Sequence, residues 1–129
     1  MKTSSEFHDG AFNGLLIEKD VAHFFLETSH HEKFVIVAQQ IQALRLHDVL
    51  AGNIIFDVEV FDSTEISLSD VLEAHPYSNE AQGKSILQKC RDQNLLLLRI
   101  NPSYGASLTA IASSVEVRSQ EQWGRLLPA

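Results

Sequence analysis

Apolar and polar residues alternate along much of this chain, most clearly over residues 53–62 (NIIFDVEVFD). Ile54, Phe56, Val58 and Val60 fall on one phase, and Ile55, Asp57, Glu59 and Phe61 on the other. A period of two puts these sets on opposite faces of a strand, whereas a helix would scatter the carboxylates around its circumference. The segment before it, 33–48 (KFVIVAQQIQALRLHD), is continuously apolar over 34–38 and alternating again at Leu44 and Leu46. Gln39 and Gln40 break the phase between these halves, so a bulge or bend is expected there. Residues 49–53 supply Gly52 and Asn53, which reach positive φ most easily, and the two strands are expected to pair as a hairpin.

Upstream, 12–18 and 21–28 read as strands joined at Lys19-Asp20, with Ala22, Phe24 and Leu26 on one face and Val21, His23, Phe25 and Glu27 on the other. Residues 29–32 form the next turn, so the first half is expected to be a four-stranded antiparallel meander. After Asp62 the period changes. Ser67 and Asp70 are spaced as a capping box, Leu68, Val71, Leu72 and His75 form a helical stripe, and Pro76 ends it. A second helix is expected over 79–92, with Gly83, Ile86, Leu87 and Cys90 on one side. Strands over 94–100 and 106–118 close the pattern, and Trp123, Leu126 and Leu127 would share one helical turn. The expectation is an α+β domain spanning 1–129: about six antiparallel strands, curved or closed into a partly open barrel, with one or two helices inserted after the fourth strand. Residues 1–6 and 119–129 are expected to be loosely ordered.

Hydrophobic residues make up 44% of the 129, enough to build a core. Cys90 is the single cysteine, which excludes an internal disulfide and suits a reducing, cytoplasmic home. No apolar run is long enough for a bilayer. The net charge of −7 and the dispersed basic residues weigh against nucleic acid and fit a basic protein partner, or solubility alone.

Candidate chemistry is sparse. No two of the six histidines share a strand face or helix face at metal-ligating spacing, and one cysteine builds no sulfur-rich zinc cage. His8-Asp9 and His47-Asp48 resemble the HD pair of metal-dependent phosphohydrolases, but that family needs a helical scaffold and further ligands, so turn closure is the better reading. Cys90 falls on an apolar stripe, and Asp57 with Glu59 falls on a polar strand face. No hydrolase elbow, phosphate loop or zinc-protease motif occurs, so no catalytic residue is assigned.

Phe7-His8-Asp9-Gly10, Gly52-Asn53-Ile54-Ile55 and Ser103-Tyr104-Gly105-Ala106 resemble the landmarks of small β-rich bacterial proteins, some of them similar to immunity proteins of contact-dependent toxin systems. That resemblance implies an antiparallel α+β fold and a binding role, and it transfers no catalytic residue. The leading expectation is a non-catalytic protein-binding module, in its sharpest form an inhibitor of a basic toxin. The alternative is a small-molecule-binding protein or hydrolase with a pocket between sheet and helices, lined by His8, Asp9, His23 and Asn53. A homodimer in contact through exposed Phe25, Ile55 and Phe61, with Trp123, is compatible with either.

Overall fold

The structure, a computed structural model, describes residues 2–119. Nine strands and two helices follow one another as β1 (Lys2–Ser4), β2 (Ala11–Glu18), β3 (Val21–Glu27), β4 (Lys33–Gln39), β5 (Ala43–His47), β6 (Ile54–Phe61), α1 (Leu68–Ala74), α2 (Glu80–Asp92), β7 (Leu96–Tyr104), β8 (Ser107–Ala112) and β9 (Ser114–Ser119). All pairings are antiparallel, in the order β5-β8-β7-β6-β2-β3-β4-β9, with β1 added to β6. The protein is therefore an α+β chain built on an open antiparallel sheet, with both helices inserted after the sixth strand rather than the fourth.

The strand count differs from expectation for physical reasons. The strand expected over 33–48 breaks where its apolar phase breaks, and Gln40 takes a left-handed φ of 51° at the corner. The last strand breaks at the same level, at Ser113. Hydrogen bonds stitch the two corners together: Ser113 N donates to Gln39 O (2.9 Å), Gln42 N to Ile111 O (2.8 Å), and Ser113 Oγ to Gln40 Oε1 (2.8 Å). Lys2–Ser4, expected to be loose, is tied to Val58–Val60 as β1. Trp123, Leu126, Leu127 and residues 120–129 lie outside the described residues.

The expected hairpin between β5 and β6 does not form. β5 pairs with β8, setting Leu44 against Ala110 and Leu46 against Leu108, while β6 pairs with β7. The meander holds for β2-β3-β4, but the next neighbour of β4 is β9. Two register shifts near Ile55 also break the alternation of β6: Ile55 turns into the core, and Ile54 and Phe56 turn to solvent.

One apolar cluster lines the inner face of the sheet, with Phe24 and Leu26 from β3, Ile36 from β4, Val58 from β6, Ile100 from β7 and Leu108 from β8. A second lies under the helices, joining Val71, Ala74 and Cys90 to Leu97 and Ile111. The helices pack tightly on each other at Gly83, where an added Cβ would stand 2.8 Å from a Leu72 methyl. That contact explains a helix-weakening glycine in the middle of α2.

Candidate functional site

The segment between β5 and β6 is held by one amide. Asn53 Oδ1 accepts from Leu50 N (2.8 Å) and from Ala106 N (3.0 Å), and Asn53 Nδ2 donates to Leu50 O (2.8 Å). Gly105, at φ 87°, lets the β7–β8 turn approach, since a Cβ there would lie 2.4 Å from Asn53 Oδ1. Phe12 N donates to Asn53 O (3.0 Å) and Ile55 N to Gly10 O (2.9 Å), so the 7–10 turn is fixed to the start of β6. That turn is anchored by Phe7, fully buried and edge-on to Phe34 at 5.7 Å.

On this frame stand Val49, Leu50, Ile54, Phe56 and Tyr104, each between 43% and 57% exposed. Ile54 and Tyr104 are cross-strand partners, and Phe56 is turned outward by the register shifts. His8 closes one side. Its Nδ1 lies 2.9 Å from Phe56 O, a pure acceptor, so Nδ1 carries the proton, and its ring meets Phe56 edge-on at 5.5 Å. Asp9 sits beside it at φ 62°, its N–H on Ile55 O (3.0 Å) and Asp9 Oδ2 3.6 Å from His8 Nε2. A hollow of about 280 Å3, lined by Phe12, Gly14, Val49 and Leu50 among others, lies alongside.

Three of the four binding residues expected from sequence, His8, Asp9 and Asn53, therefore meet at one end of the sheet. His23 does not join them. Glu27 pairs with Ala11 and Ala11 with Ile54, and His23 lies four residues back along β3 between Leu16 and Val37, about 13 Å away at the rise of a strand. Of the expected contact residues, Ile55 is 1% exposed and unavailable, and Phe25 and Phe61 are half-buried. Asp9 and Asp48 both adopt left-handed φ, and each turns its carboxylate to the neighbouring histidine, Asp9 Oδ2 3.6 Å from His8 Nε2 and Asp48 Oδ2 2.9 Å from His47 Nδ1.

Asp57 and Glu59 are not on a solvent face. They are half-buried and meet Asn101, whose Nδ2 donates to Asp57 Oδ1 (2.7 Å) and to Glu59 Oε1. Beside them Arg99 Nη2 meets Asp70 Oδ1 (2.8 Å) and Glu73 Oε2 (2.9 Å), with its guanidinium over the Phe61 ring at 5.6 Å. Burial pushes the Asp70 carboxyl up, but the Ser67 N–H and the Arg99 guanidinium outweigh it and hold it below 3.8. This cluster clamps α1 to the sheet. Sequence spacing does not reveal it, because Arg99 is 29 residues from Asp70.

Burial raises the Cys90 thiol, as befits a small core residue rather than a nucleophile, and lowers His75 from 6.5. Among the described residues no three His, Cys, Asp or Glu side chains gather so as to hold a metal ion, and no helix is long and apolar enough to cross a membrane. No family model, curated protein or solved structure matches the chain.

Proposed function

We propose that this chain is a protein-binding module of the cytoplasm whose docking surface is the apolar patch of Val49, Leu50, Ile54, Phe56 and Tyr104, rimmed by His8 and Asp9. The observation that carries this reading is the exposure of five large apolar side chains on a hydrogen-bonded frame. Burying them in a partner releases water at little conformational cost, and exposed aromatic residues are frequent anchors of such contacts. The net charge of −7 favours a basic partner, an immunity-type target being the sharpest case. In the finer reading of the fold, β4–β5 and β8–β9 act as two bent ribbons that curl the sheet into a partly open barrel, giving the patch a stiff base.

The test is affinity capture from the native cell lysate with the wild type and with an Ile54→Ser/Phe56→Ser variant, at low and high salt. A stoichiometric basic protein, retained by the wild type, lost by the variant and weakened by salt, is the expected result. Equal capture by both proteins would overturn the patch as the docking surface.

A second reading, small-molecule binding, rests on a separate cleft of about 680 Å3 between β1, β6 and β7 on one side and β4 and β9 on the other. Its walls are mainly apolar, including Ile36, Val58, Leu98 and Val117, and its size falls within the range of ligand sites. It lies between strands, not between sheet and helices, and His8, Asp9, His23 and Asn53 are not among its lining residues.

A further inference from the structure

Among the described residues, β5 is the terminal strand of the sheet path and pairs with β8 on one side only. The N–H and C=O groups that its residues turn the other way therefore meet no described strand. A cleft of about 700 Å3 runs along that side, walled opposite by the end of α1 and by His75–Ser78. Leu44 and Leu46 pack against the inner core and Ala43 against the cluster under the helices, yet all three line this one cleft. Side chains from both faces of a strand border the same space only when that space lies along the strand's edge. The floor of the cleft is thus main chain with open hydrogen-bonding positions.

Arg45 and Tyr77 supply the chemistry around this edge. Among the described residues, Arg45 makes one side-chain hydrogen bond, from Nη1 to the main-chain oxygen of Glu73 (3.3 Å), and no ion pair, in a chain of net charge −7. Tyr77 is fully exposed at the rim. We propose that the free edge of β5 receives an extended segment of a partner protein whose carboxylate side chain pairs with Arg45. Backbone hydrogen bonds would hold the segment, as in strand addition generally, and the arginine would choose its sequence. A second copy of this chain is the poorer occupant. Its own β5, paired two-fold over Ala43–His47, would set Arg45 against Arg45, and like charges directly opposed destabilise a strand pair. This surface is distinct from the apolar patch and stands whether or not that patch binds.

The test is selection of a random peptide library on the immobilised full chain, followed by amide hydrogen exchange. Enriched peptides are expected to carry Asp or Glu at a fixed position among alternating apolar residues and to slow exchange at Ala43–His47. They should lose about tenfold or more in affinity on Arg45→Glu and on Tyr77→Ala, as truncated interface anchors do. Arg45→Gln reads the charge if Arg45→Glu fails to fold. Failure to enrich acidic peptides, or protection of amides away from β5, overturns the proposal. So does β5 protection that grows with protein concentration alone, which would assign the edge to a second copy.

Discussion

Asn53 uses both ends of its amide, and its most consequential partner, Ala106, is 53 residues away. Replacing it with alanine removes three hydrogen bonds and leaves the buried Ala106 N–H without an acceptor, at a cost of about 2–3 kcal/mol. Gly105→Ala attacks the same clamp from the other side, through a Cβ clash and an unfavourable φ, and is expected to cost about 2 kcal/mol. Because each change breaks one shared contact, the double variant should cost clearly less than the sum. Urea denaturation of the two single variants and the double decides this, and strict additivity would show that the residues do not act together. From the sequence, Gly52-Asn53 reads as a hairpin turn, which captures the local bonds to Leu50 and misses the distant one. The glycine is legible as a turn residue in Ser103-Tyr104-Gly105-Ala106, but the atom it makes room for is not.

At the scale of elements, what is local is legible. The capping box of α1 forms as spaced, with Ser67 Oγ accepting from Asp70 N (3.1 Å), and the break at Gln39-Gln40 becomes the corner between β4 and β5. The clamp on α1 is not local, since Asp70 and Glu73 belong to α1 and Arg99 to β7. Arg99→Met would leave Asp70 and Glu73 facing the sheet without their cation. The expected loss is about 2–3 kcal/mol, below the range for a fully buried pair because Glu73 is partly exposed. The pH dependence follows from Asp70, whose carboxyl is held below 3.8 in the folded chain. Its contribution is complete above 3.8 and disappears as pH falls through the folded value, because the unfolded chain takes up the proton first. Without Arg99 the carboxyl loses a stabilising partner, so the stability gap between wild type and Arg99→Met should narrow on acidification. Thermal melts of both proteins from neutral to strongly acid pH measure that gap, and a constant gap would mean that Arg99 acts by packing on Phe61 rather than through Asp70.

For the whole molecule, strand order is the information the alternation pattern lacks. Period-two runs identify strands and their faces, and they do so here for β3, where Ala22, Phe24 and Leu26 are buried. They carry no address for the partner, which is why β5 and β6, adjacent in sequence, lie apart with β8 and β7 between them. The same order decides whether the chain is one folding unit. Residues 1–62 contain six of the nine described strands, yet within them β4 lacks β9, β5 lacks its described partner β8, and β6 lacks β7. Val35, Ile36, Val37 and Ala38, all buried in the full chain, would lose the cover of β9 along one edge. A fragment ending at Asp62 is therefore expected to be unfolded, with random-coil circular dichroism and unprotected amides, because β2-β3-β4 alone encloses too little apolar surface to offset its conformational entropy. Adding residues 63–129 as a separate chain should restore sheet signal only if the two fragments associate through the β4–β9, β5–β8 and β6–β7 ladders. A fragment of 1–62 that folds by itself, with slowly exchanging amides in β3 and β4, would instead mean that the meander is an independent unit and that the two stitched corners join two domains rather than close one.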